Sequence, residues 1–126
     1  MSERSKNILA TEWDLLEALW RSERATVREI TEAVAEKRGW ALSTVKTMLD
    51  RMAAKGLVNA RQVGTVWEYT PGVAPIEARR GAWHEFIEKA FGGASTSALH
   101  FLATDAKLSK KEFAVLRAML ADKEEK

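Results

Sequence analysis

Seven side chains that can donate hydrogen bonds or positive charge to an anion fall close together in this chain: Ser43, Thr44, Lys46, Thr47, Arg51, Lys55 and, just beyond, Arg61. Serine and threonine hydroxyls bond bases or phosphates, threonine methyls suit a thymine methyl, and lysine reaches a base edge or a phosphate. Arg51, Lys55 and Arg61 suit phosphates, which position a protein without reading sequence. The charge distribution agrees. Residues 37–61 carry Lys37, Arg38, Lys46, Arg51, Lys55 and Arg61 against Asp50 alone, a net +5, whereas residues 1–36 are net −3 and the whole 126-residue chain is +2. Such a local concentration is the electrostatic footprint of a nucleic-acid partner. On charge alone, a solvated helix face without a partner fits as well.

Other chemistry is thin. Cysteine is absent, which excludes a disulfide scaffold, a thiolate metal site and a cysteine nucleophile. The only histidines, His84 and His100, are too few for a His-rich tetrahedral metal site. No glycine-rich phosphate loop or H-E-x-x-H motif occurs, so the reading is of a non-enzyme with no cofactor. No apolar run approaches the ~18 residues needed to cross a bilayer. The opening MSERSKN is polar and leads into no signal-type core, so a cytoplasmic location is expected.

The elements that must position these residues are well punctuated. Thr11 with Asp14 suggests a capping box for a first helix over about 11–21, with Trp13, Leu16, Leu19 and Trp20 at helical spacing. Thr26 with Glu29 opens a second helix over about 26–37, striped by Val27, Ile30 and Val34. Ser43 reads as the N-cap of a third helix over about 43–55 that ends at Gly56 and buries Val45, Met48 or Leu49, and Met52. Lys46 stands in its first turn, where helix stability prefers an acid, so it serves something outside the helix. Leu57–Val63 and Val66–Thr70 form strands joined by a tight turn at Gly64-Thr65. Trp13, Trp20 and Trp40 read as core, and Trp67 lies on a hairpin face that can be exposed.

Helix, helix, helix and hairpin in this order is the arrangement of a winged helix-turn-helix, whose third helix enters the major groove. The fold class is therefore mainly α, with a winged helix DNA-binding domain over residues 1–72 and a helical dimerisation domain over 73–126. Pro71, Gly72 and Pro75 mark the junction. Beyond it, helices are expected over Ile76–Phe91, stopped by Gly92-Gly93, over Ser97–Ala103, and after a capping box of Ser109 and Glu112. Asp122–Lys126 should be frayed. This region is too short for a comfortable core, yet Trp83, Phe86, Ile87, Phe91, Leu99, Phe101, Leu102, Phe113, Leu116 and Leu120 need burial. A second copy of the chain supplies it through a two-fold interface.

The segments ATEWDLLEALW, STVKTMLDRMAAKGLV, AFGG and LSKKEFAVLRAML resemble the penicillinase repressor family (BlaI/MecI type) from about Leu9 to Leu120. The resemblance implies a dimeric transcriptional repressor of resistance genes that binds an inverted-repeat operator. It also implies release through a membrane sensor-protease pathway that cuts in the dimerisation region. The family's Asn-Phe cleavage dipeptide corresponds here to His100-Phe101, with Phe kept and His standing for Asn. The competing reading is a winged helix that binds a protein partner and no DNA.

Overall fold

The computed structural model describes residues 8–105 and 107–124; the segment MSERSKN and residues 125–126 lie outside them. Helix α1 spans Ala10–Ser22 and is followed by β1 (Ala25–Thr26), α2 (Val27–Ala33), α3 (Ala35–Arg38) and α4 (Leu42–Lys55). Strands β2 (Val58–Val63) and β3 (Val66–Pro71) come next, then α5 (Pro75–Phe91), α6 (Ser95–Thr104) and α7 (Lys110–Glu124).

Local chemistry explains most boundaries. Thr26 and Glu29 form the expected box: the Thr26 N–H donates to Glu29 Oε1 at 2.9 Å, and the Glu29 N–H donates to Thr26 Oγ1 at 3.2 Å. Ser109 and Glu112 repeat it ahead of α7 at 2.9 and 3.1 Å. Helix α4 stops at Gly56, whose φ of +82° is the left-handed conformation that glycine reaches at least cost.

Three expectations are corrected. Thr11 does not cap α1: Leu9 is the N-cap, and Glu12 Oε1 accepts from its N–H at 2.9 Å. Ser43 does not cap α4, which starts one residue earlier from Ala41 and has no side-chain cap. The single helix expected over 26–37 is divided at Val34 (φ −103°, ψ 6°) into α2 and the one-turn α3, which ends at left-handed Gly39. An unforeseen strand is also present. β1 pairs antiparallel with β3, matching Ala25 to Tyr69 and Thr26 to Glu68, so the sheet order is β1-β3-β2.

The core is assembled by α1, α2, α4 and the sheet. Leu15, Leu16 and Leu19 of α1 meet Ile30, Val45, Leu49, Met52, Leu57, Val58 and Tyr69, all buried. Full burial of each aliphatic side chain is worth about 1.5–3 kcal/mol. Trp20 and Trp40 pack partly buried against this cluster. Trp13 packs edge-on against Trp20 with ring centroids 6.0 Å apart.

The chain leaves β3 through a tight crossing. The Gly72 N–H donates to the Leu57 carbonyl at 2.7 Å, and Trp20 Nε1 donates to the Val73 carbonyl at 2.9 Å. A β-carbon on Gly72 would lie 2.5 Å from the Gly56 carbonyl oxygen, so only glycine fits without backbone movement.

The chain divides into two compact units, one ending at Phe86 and the other beginning at Ile87. In the second, Gly92 (φ +57°) and Gly93 (φ +84°) turn the chain out of α5, and the Gly93 N–H donates to the Ile87 carbonyl at 3.0 Å. Phe91 and Phe101 pack edge-on at 6.1 Å. Leu99, Phe101, Phe113, Met119 and Leu120 remain exposed in the single chain.

Candidate nucleic-acid interface

Helix α4 turns Val45, Leu49 and Met52 into the core, which fixes what it shows to solvent. At 3.6 residues per turn, Ser43 and Thr47 lie nearly opposite that buried stripe. Both are exposed, as are Thr44, Asp50 and Arg51. The hydroxyl-rich surface expected from the sequence is thus a continuous outward face. Hairpin β2–β3 flanks the helix, with its turn at Gly64 (φ +65°) and Val63, Val66 and Trp67 exposed near the tip.

The cations of residues 37–61 are mostly partnered. Lys37 Nζ lies 3.0 Å from Asp14 Oδ1, and Arg38 Nε 2.6 Å from Asp14 Oδ2. The Arg38 guanidinium also stands 5.2 Å over the Trp40 ring. The Arg38 hydrogen bond, with help from Lys37, holds the Asp14 carboxyl below the usual carboxylate range against the opposing effect of burial. Lys55 Nζ reaches Glu12 Oε1 at 2.8 Å, and Arg61 reaches Glu68 Oε1 at 3.1 Å. Arg51 makes no ion pair among the described residues.

Lys46 occupies a more elaborate setting. Its Nζ donates to both Asp50 oxygens, at 2.8 and 3.0 Å. Buried Tyr69, from β3, is an electrostatic neighbour of this ammonium. The Asp50 hydrogen bond, foremost, raises the Lys46 pKa, so the ammonium stays charged. Burial pushes the Tyr69 phenol up, so it stays neutral.

The predicted residues therefore fall into two groups. Ser43, Thr44, Lys46, Thr47 and Arg51 share the surface of α4, and Arg61 stands on the neighbouring hairpin. Lys55 is committed to the buried Glu12 at the far end of the helix. Glu12, Asp14 and Tyr69 were missed as shapers of this surface. Only a helix register placing Glu12 at the buried end of α1 could have flagged the first.

His84 and His100 are exposed, and no group of three metal-ligating side chains occurs among the described residues. No described helix is long and apolar enough to cross a membrane.

Known proteins share this arrangement. The family model described as penicillinase repressor matches residues 8–122. The methicillin resistance regulatory protein MecI of Mammaliicoccus sciuri is 25% identical over 98% of this chain and 100% of its own length. The penicillinase repressor of Bacillus licheniformis is 27% identical over 88% of this chain and 87% of its own. Among solved structures, the DNA-binding domain of the repressor BlaI superposes with a TM-score of 0.52 at 25% identity, covering 58% of this chain and 89% of that one. The monomeric Bacillus licheniformis BlaI solved with the blaP half-operator gives a TM-score of 0.50 at 25% identity and the same coverage. The shared fold is a winged helix, followed in this chain by C-terminal helices.

Proposed function

The chain belongs to the penicillinase repressor family, whose members are transcriptional repressors and not enzymes, and from that premise we propose that it is a homodimeric repressor of an inverted-repeat operator. One observation supports this above the others. The outward face of α4 presents Ser43, Thr44, Thr47 and Arg51 beside a hairpin, in a fold that a relative's structure shows with half-operator DNA. Base edges in the major groove meet the hydroxyls and Lys46, and phosphates meet Arg51 and Arg61. Lys55 joins them at the phosphates by sharing its ammonium with Glu12.

Residues 73–126 act as the dimerisation region. Trp83, Phe86, Leu99, Phe113 and Leu120 are exposed in one chain and gain cover from a second. Phe91, Leu102 and Leu116 are half-buried in one chain. Ile87 is already buried within the chain. Two joined half-site contacts bind more tightly than separate ones by a factor of about 10²–10⁴.

Release follows cleavage at His100-Phe101 by a membrane sensor-protease pathway in the cytoplasm, and the controlled genes serve antibiotic resistance. The bond lies inside α6, where the Phe101 carbonyl accepts from the Asp105 N–H at 2.8 Å. Cutting it requires α6 to open locally.

The test is electrophoretic mobility of the full chain with its own upstream promoter DNA, against scrambled DNA of equal length, at two salt concentrations. A selective shift that weakens with salt is expected. A folded dimer without selectivity at either salt overturns the reading and favours a protein-binding winged helix.

A further inference from the structure

Four carboxylates pair with five of the six cations of the basic stretch, and one differs from the rest. Glu12, Asp14 and Glu68 come from outside residues 37–61, and their side chains are 5%, 10% and 24% exposed. Asp50 comes from α4 itself and is 56% exposed. It points about 130° away from the mean direction of Val45, Leu49 and Met52, against about 90° for Lys46. The carboxylate, more than the ammonium it holds, stands on the part of the helix that faces outward.

Helix stability does not account for this pair. With α4 starting at Leu42, Lys46 lies past the first turn, and lysine preceding its acid by four residues is the weaker orientation of such a pair. Aspartate is also a poor residue for a helix interior. In a surface that approaches phosphates, an unsatisfied carboxylate repels DNA. It becomes favourable only where the groove presents a donor.

We propose that Asp50 is a specificity-determining residue of the α4 face, accepting from the exocyclic amine of a cytosine in the operator and penalising duplexes that place no such donor there. The inference rests on the operator-binding reading above. A carboxylate offers about four acceptor positions, and Lys46 uses one on each oxygen, at 2.8 and 3.0 Å. With the side chain 56% exposed, the remainder are open to solvent. Cytosine N4 supplies a donor without an acceptor beside it on the same base, whereas the adenine amine adjoins N7, which repels a carboxylate. The Lys46 ammonium, held by Asp50, keeps one N–H for O6 or N7 of the guanine in that pair. Lysine and aspartate together read one C·G pair, and each keeps the other from a wrong contact.

The experiment selects duplexes from a random-sequence library with the full-length protein, Asp50→Ala and Asp50→Asn. Affinities are then measured by fluorescence anisotropy for the selected duplex and for one with the critical pair changed to T·A. The unmodified chain should select a C·G pair at one fixed position in each half-site and discriminate against T·A by roughly 5–100-fold. Asp50→Ala should lose that discrimination and bind scrambled DNA more tightly. Asp50→Asn should shift the preference to adenine, which asparagine recognises at N6 and N7. If both variants select the same motif with undiminished discrimination, the assignment of Asp50 is overturned while the repressor reading stands. If the unmodified chain selects no motif, the repressor reading falls and this inference with it.

Discussion

Glu12 Oε1 and Lys55 Nζ meet at 2.8 Å, joining the start of α1 to the end of α4 across 43 residues of sequence. The same Glu12 oxygen accepts from the Leu9 N–H at 2.9 Å. One buried carboxylate therefore caps the first helix and fixes the C-terminal end of the helix that carries the proposed DNA face. Glu12→Ala should cost about 1–3 kcal/mol, because it removes the acceptor of a backbone N–H and of an ion pair together. Urea unfolding followed by circular dichroism measures this loss. An unchanged midpoint would show that water replaces both bonds without cost.

Gly72 is held by space rather than by dihedral angle. Its absent β-carbon would lie 2.5 Å from the Gly56 carbonyl oxygen and 3.0 Å from the Leu57 carbonyl carbon. Both are backbone atoms at the C-terminal turn of α4 and cannot swing aside. Gly72→Ala should therefore destabilise the winged helix by about 1–3 kcal/mol, the usual range for overpacking. Gly64→Ala is the informative contrast. That site has open space but a φ of +65°, so its loss should be about 1 kcal/mol and confined to the hairpin. Equal losses at the two sites would remove the argument from close approach.

Asp14 gives the fold a dependence on pH. Chiefly through the Arg38 hydrogen bond, its carboxyl releases its proton at lower pH in the folded chain than in the unfolded one. The stabilisation is complete above the ordinary carboxylate value of about 4 and is lost as pH falls through the depressed folded value. Asp14→Asn should lower the melting temperature at about pH 7, and the gap to the unmodified chain should narrow towards about pH 2. A gap that is constant over this window would assign the effect to packing of the Asn side chain.

These three residues also mark where sequence reading succeeds and where it stops. The boxes at Thr26–Glu29 and Ser109–Glu112, the stop at Gly56 and the buried stripe of α4 were legible because each depends on neighbours a few positions away. Thr11 and Asp14 carry a similar local signal, but Leu9 and Glu12 take the helix start, and Asp14 turns to Lys37 and Arg38, 23 and 24 residues on. No local spacing encodes that choice. The net charge of residues 37–61 was correctly counted, yet the acids that offset most of it come from α1 and β3. Strand β1 was missed for the same reason: a two-residue strand has no periodicity, and only its partner β3 defines it.

The pairing pattern separates two cations that look alike in sequence. Arg51 is exposed without an ion pair among the described residues, whereas Lys55 anchors Glu12. Arg51→Ala should weaken binding to all duplexes alike and lower the slope of log affinity against log salt by about 1, with thermal stability unchanged. Lys55→Ala should lower thermal stability as well. Mobility shifts over a salt series and thermal melts of both variants check this. If Arg51→Ala leaves the salt slope intact, Arg51 does not meet a phosphate.

The apolar residues of the second unit lead to the last prediction. Phe113 and Leu120 of α7 are 40% and 57% exposed, and neither belongs to the core cluster built from α1, α2, α4 and the sheet. Isolated exposed apolar residues are common, but at 3.6 residues per turn Phe113 and Leu120 share one face of α7, with Val115 and Met119 exposed on the other. Phe113→Ala with Leu120→Ala should move the protein from dimer to monomer in sedimentation experiments. Operator affinity should fall by up to about 10²–10⁴, the advantage of joined half-sites, while the winged helix keeps its melting temperature. Loss of operator binding without dissociation would place these side chains in the orientation of the two winged helices rather than in holding the copies together. A dimer with unchanged affinity would move the interface away from α7.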